Sequence, residues 1–129
     1  VKFLLDTNAV IAVMKGEPTF LNRMRQYQPE DFGLSTIVAY ELYFGATKSQ
    51  RRLENTARVD ALRFPILDFD REDARETGVI RAHLATAGMP IGPYDVLIAG
   101  QALARNLTLV THNTREFPRV PRLQLEDWR

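Results

Sequence analysis

Short apolar runs alternate along this chain with stretches in which apolar residues recur at helical spacing. The run over residues 2–5 is broken by Asp6, Thr7 and Asn8, the pattern of a buried strand ending in a polar turn. Val10, Ile11 and Met14 then fall at helical spacing over 9–15, and Gly16 stops that helix. Pro18 opens a second helix carrying Phe20, Leu21 and Met24, with Pro29 beyond its end. Residues 32–34 predict a short strand. Ser35 or Thr36 caps a helix through Ala46, with Val38, Leu42 and Gly45 on one face and Glu41 on a neighbouring one. A helix charged on its outside follows over 49–62. A third strand over 63–69 contains Pro65, which suggests a sheet edge. Asp70 caps a long amphipathic helix over 70–87 that Gly88 stops, and 89–92 is a loop. Pro93 starts a helix through Ala104, whose Ala99, Gly100, Ala102 and Ala104 let it lie close to a sheet. Residues 107–111 give the clearest strand and 112–114 a turn. Residues 123–125 predict a last short strand, and Trp128 packs the tail.

Strand and helix in alternation imply an α/β fold, a three-layer sandwich. Its central sheet is mostly parallel, with about five strands and helices on both faces. The length of 129 residues, with no internal repeat and no linker, predicts one domain over 1–129. A hydrophobic fraction of 45% with 26% charged residues excludes a disordered chain. No apolar run is long enough to span a bilayer, so a membrane is not an expected partner. The absence of cysteine excludes a disulfide scaffold, cysteine-ligated zinc and thiol catalysis, and fits a reducing, cytoplasmic compartment.

The net charge of +1 is too small for a protein that coats long duplex DNA. Fourteen of the 17 basic residues are arginine, however, and the guanidinium fork suits phosphate and stacks on bases. A nucleic-acid partner therefore stays open beside plain codon usage.

In a parallel α/β sheet, ligands sit beyond the carboxyl ends of the strands, where the strand order reverses. The pattern sets Asp6 after the first strand and Asn113 after the late one. Glu41 falls early in a helix after the second strand, and Asp95 in the first turn of the helix opened by Pro93. These elements can abut one sheet edge, which would gather three carboxylates and an amide. At about 4 Å and an effective dielectric near 20, each like-charged pair costs on the order of 4 kcal/mol. Either some of the acids are protonated or a cation holds them, and a divalent cation is the economical answer. Magnesium or manganese suits oxygen donors, whereas zinc would want histidine or cysteine. His83 and His112 make no ligand-spaced pair. Singly, each acid has a plainer role. Asp6 can cap a helix, Asp95 can sit at a helix dipole, Glu41 can pair with an arginine, and Asn113 can be a turn residue.

Together these segments resemble a known family. They are Asp6-Thr7-Asn8 after a strand, Ser35-Thr36 with Glu41-Leu42, Ile91 to Asp95 leading into Ile98-Ala99, and Leu109 to Thr111 through Thr114 to Phe117. In order and spacing they look like a PIN-domain ribonuclease, and more narrowly a VapC-type toxin of a type II toxin–antitoxin system. The resemblance implies a Mg2+- or Mn2+-dependent endoribonuclease, a homodimeric toxin and a small antitoxin that joins it in a hetero-oligomer. The implied substrate is structured RNA, tRNA foremost, cut in single-stranded loops. Asp6, Glu41 and Asp95 match the family's metal site. Asn113 falls near its fourth acidic position, where an amide brings no charge. Thr7, Thr36 and Thr111 are candidates to orient waters around the site. Tyr94, Arg115 and Arg119 are candidate RNA contacts.

Two other readings stand beside this one. A phosphoacceptor signalling domain would need a lysine after the last strand, and Lys48 is the last in the chain. A catalytically dead RNA- or protein-binding module is suggested by the amide at Asn113. For the antitoxin, Val10, Ile11, Met14, Phe20, Leu21 and Met24, with Tyr40 and Tyr43, are expected to form a groove for an amphipathic helix.

Overall fold

Phe3, Leu4 and Leu5 are buried and form the central strand β1 (Phe3–Leu5) of a computed structural model that describes residues 1–129. The chain continues through α1 (Thr7–Lys15), α2 (Pro18–Met24), β2 (Phe32–Ser35), α3 (Thr36–Lys48), α4 (Arg52–Asp60) and β3 (Ile66–Leu67). It ends with α5 (Arg71–Thr86), α6 (Pro93–Ala104), β4 (Thr108–Val110) and β5 (Leu125–Glu126). The strand order is β3-β2-β1-β4-β5, and every pair is parallel. β1 and β2 are buried at every position, as strands covered on both faces must be.

The register aligns Phe3 with Phe32 on one side and with Thr108 on the other, and Leu5 with Val110. The chain lays β2 and β3 on one side of β1, then returns through α5 and α6 to lay β4 on the other. The strand order therefore reverses between β1 and β4, and a crevice opens beyond their carboxyl ends.

Gly100 brings α6 against α5. A Cβ there would stand 2.8 Å from Thr77 Cα, so only glycine permits this approach. Asp73 on α5 is buried, and Arg105 and Gln101 both donate to its carboxylate. At the amino end of the sheet, Phe3, Phe32, Tyr27 and Trp128 form an aromatic cluster that holds the C-terminal tail.

The edge position of β3 agrees with Pro65, but the strand is only two residues long. Phe64 turns inward against Phe32 instead of extending it. α1 starts two residues before the expected boundary, because the Asp6 carboxylate accepts from Thr7 N–H. The helix expected over 49–62 is confined to Arg52–Asp60, and the last strand starts two residues later than expected.

Candidate metal centre

Asp6 is placed by the sheet. Its N–H donates to Val110 O at 3.0 Å, which holds it at the reversal point between β1 and β4. Its carboxylate is 5% exposed. Oδ1 accepts from Thr7 N–H at 2.8 Å and Oδ2 from the Thr111 hydroxyl at 2.7 Å. Burial pushes this carboxyl above its ordinary value, against the lowering effect of those two bonds.

Glu41 reaches the same crevice from α3. Its Oε1 accepts from the Thr7 hydroxyl at 2.9 Å, so Thr7 bonds one acid through its amide and another through its side chain. Partial burial raises the Glu41 carboxyl, and the charge of Asp6 raises it further.

Asp95 lies in the first turn of α6, which Pro93 opens. A Cβ at Gly92 would stand 3.1 Å from Asp95 Oδ2, so the glycine leaves room for this carboxylate. Asn113 Nδ2 donates to the same oxygen at 3.4 Å. The Asp95 carboxyl is pushed up to about 6, by burial first and then by the charges of Asp6, Glu116 and Glu41. Four carboxylates thus share one field. The ion pairs of the molecule lie elsewhere, and no lysine or arginine pairs with any of the four.

Glu116 is the residue that sequence reasoning missed. Besides raising Asp95, its Oε1 accepts from Gly92 N–H at 3.1 Å. A signal existed, because Glu116 is the only acid between Asp95 and Glu126 and stands three residues after Asn113. Asn113 itself is a support. Its oxygen accepts from Glu116 N–H at 3.2 Å, its own N–H donates to the Thr111 hydroxyl, and its amide nitrogen faces Asp95.

The other candidates take different positions. Thr36 does not join the acids, since its hydroxyl accepts from Phe69 N–H at 3.3 Å. Arg119 donates to Pro90 O at 2.9 Å through one guanidinium nitrogen and braces the loop before Asp95. Arg115 is exposed and makes no ion pair. Tyr94 is 42% exposed, and its hydroxyl is hydrogen-bonded to that of Tyr40 at 3.1 Å. His112 packs its ring on Phe20, and His83 lies in the last turn of α5.

The donor set is all oxygen and carries unbalanced negative charge, which suits a hard divalent cation and not zinc. No three of these side chains close around a single point. That geometry fits an ion held by one or two carboxylates, with water filling its remaining positions.

A groove of about 260 Å³ adjoins the acids and is formed by α1, α3 and α4. Ile11, Met14, Leu42, Ala46 and Val59 line it together with Thr7 and Glu41. This corrects the groove expected on α1 and α2. Val10 and Phe20 are fully buried core residues, while Leu21 and Met24 line a separate cavity. Tyr40 and Tyr43 lie outside it, and the Tyr43 hydroxyl donates to Asp60.

Over residues 3–123 the chain matches the PIN domain family. It is 43% identical to the tRNA(fMet)-specific endonuclease VapC of Salmonella typhimurium, an alignment covering 98% of each protein. It is 37% identical to Ribonuclease VapC2 of Rickettsia felis, over 98% of this chain and 97% of that one. Among solved structures, it resembles the DNA-bound VapBC of Salmonella typhimurium with a TM-score of 0.94 and 42% identity, covering 100% of this chain and 99% of that one. It resembles VapBC2 of Rickettsia felis, bound to a fragment of promoter DNA, with a TM-score of 0.92 and 34% identity over the whole of both chains.

Proposed function

Because the chain belongs to the PIN-domain family and, within it, to the VapC ribonuclease toxins, we propose that its acidic crevice hydrolyses phosphodiester bonds of tRNA with Mg2+ or Mn2+. The carrying observation is that Asp6, Glu41, Asp95 and Glu116 share one site with no cationic side chain paired to any of them, where burial first and then the neighbouring charges raise Asp95 to about 6. Asp6 and Asp95 would hold the ion, with Glu41 direct or through water. A bound divalent cation supplies charge for the scissile phosphate and lowers the pKa of water.

The chain's own residues fix the rest. Thr111 and Thr7 clamp both oxygens of Asp6, and Thr7 also holds Glu41. Asn113 aims Asp95, while Glu116 and Arg119 anchor the loop from Pro90 to Gly92 that sets the start of α6. Water adds to phosphorus as the bond to the 3′-oxygen breaks. The leaving oxygen takes a proton, giving a 5′-phosphate and a 3′-hydroxyl. Arg115, exposed beside the crevice, supports the RNA backbone.

The tRNA class comes from the Salmonella typhimurium relative's name, and loops are where RNA bases are accessible. The VapBC neighbours support an antitoxin partner for this chain. Its amphipathic segment would lie in the groove of α1, α3 and α4, whose apolar wall leads to Glu41. A cationic residue from that segment would compete with the metal for the carboxylates.

The phosphoacceptor alternative lacks its late lysine. The dead-site alternative rested on the neutral Asn113, and Glu116 brings a fourth charge in its place. Sequencing RNA ends from cells that express the chain, beside an Asp6→Ala control, tests the proposal. New 5′-phosphate ends in tRNA loops that vanish in the control are expected. Identical ends in both cultures would overturn it.

A further inference from the structure

Two tyrosines rim the acidic crevice, and nothing in its metal chemistry uses them. Tyr40 on α3 immediately precedes Glu41, and Tyr94 on α6 immediately precedes Asp95. Successive helical residues are turned by about 100°, so each ring stands beside the acids and not among them. The two rings meet across the helices with centroids 5.5 Å apart and planes at 58°, and their hydroxyls share a hydrogen bond of 3.1 Å. Even in contact they stay 50% and 42% exposed. Every other aromatic pair in the molecule includes Phe3, Phe20, Phe32 or Trp128, all buried. No arginine or lysine stacks on this pair.

We propose that Tyr40 and Tyr94 form a stacking platform that seats one unpaired base of the RNA beside the acidic crevice and so sets which phosphate reaches it. The inference rests on the crevice being the place of cleavage. A site crowded with carboxylates repels the backbone it must cut, so a neutral hold next to it has a clear use. A tyrosine face supplies that hold, because every base has a π-face and stacking needs no charge. A base in a duplex already has both faces covered, so the platform favours loops. The hydroxyl bridge fixes the ring orientation before RNA arrives.

The test uses a tRNA stem-loop carrying 2-aminopurine at one unpaired position at a time. Its fluorescence is read with the chain in an Asp6→Asn background, alongside cleavage kinetics with Asp6 intact. One loop position should be quenched on binding. Tyr40→Leu and Tyr94→Leu should remove the quench and raise KM by about five- to 150-fold, the equivalent of one lost base stack, with kcat nearly unchanged. Tyr40→Phe and Tyr94→Phe should retain most of both. Quenching and KM that stay at parental values in the leucine variants would overturn the platform. So would leucine variants that change the sedimentation coefficient alone, which would make the pair a contact between copies of the chain. If the parent quenches through these tyrosines but cuts nothing, the platform stands and the nuclease assignment of the crevice falls.

Discussion

At Asp95, desolvation and three neighbouring negative charges act in the same direction. A carboxyl raised to about 6 binds its proton more tightly folded than unfolded, where its value is near 4. Its contribution to folding stability therefore falls as pH rises from about 4 to about 6, and is level above that. Metal-free Asp95→Asn should thus melt higher than the parent at about pH 7.5, with the gap closing toward pH 4. Scanning fluorimetry in EDTA reads this directly, and equal melting at both pH values would count against a crowded site. Magnesium binds the ionised form, so its stabilising shift should grow as pH rises through 6. A second prediction ranks the residues around Asp6. Asp6→Asn should cost more than about 100-fold in cleavage, while Thr111→Val, which frees an oxygen of Asp6 and the N–H of Asn113 but removes no carboxylate, should cost about 10- to 100-fold. A Thr111→Val enzyme as inactive as Asp6→Asn would contradict that order. None of these bonds was legible in the sequence. Thr111 and Asp6 are 105 positions apart, and Thr36 carries the same hydroxyl yet serves Phe69.

Helix placement decides whether the acids meet. α6 is positioned at one end by Gly92, Glu116 and Arg119, and along its length by the close approach of Gly100 to Thr77. Gly100→Ala should destabilise the protein by about 1–3 kcal/mol through overpacking. Urea unfolding measures it, and an unchanged midpoint would mean that α5 and α6 are not as close as described. Most elements could be read from the chain because Pro18, Pro93, Asp70 and Gly16 mark helix ends by their own backbone chemistry. The elements misjudged lack such marks. The apolar run around Phe64 looked like a longer strand, because burial against Phe32 and burial in a sheet leave the same pattern. Glu116 was overlooked because a charged residue in a turn usually only faces water. Here the 3₁₀ turn at Phe117–Arg119 directs it back toward Gly92.

Across the whole molecule, the parallel order β3-β2-β1-β4-β5 places its reversal at β1 and β4, and the acids collect where it opens. The groove of α1, α3 and α4 leads into the same place, so one partner segment can cover the groove and block the crevice. The groove's position was not legible in the sequence, because helical spacing alone does not tell core residues such as Val10 from the lining residues Ile11 and Met14. Met14→Glu should weaken the antitoxin by at least about 30-fold, the scale of a central interface residue, without loss of cleavage. Titration of the two purified proteins checks it, and parental affinity would move the partner to another face. The most direct test of the account is cleavage of tRNA by the purified chain, freed of its antitoxin, in magnesium and in EDTA, beside Asp6→Asn. Cuts bearing 5′-phosphate ends, present only with magnesium and an intact Asp6, are the predicted result. Equal cutting in EDTA, or by Asp6→Asn, would contradict a metal-dependent acidic site.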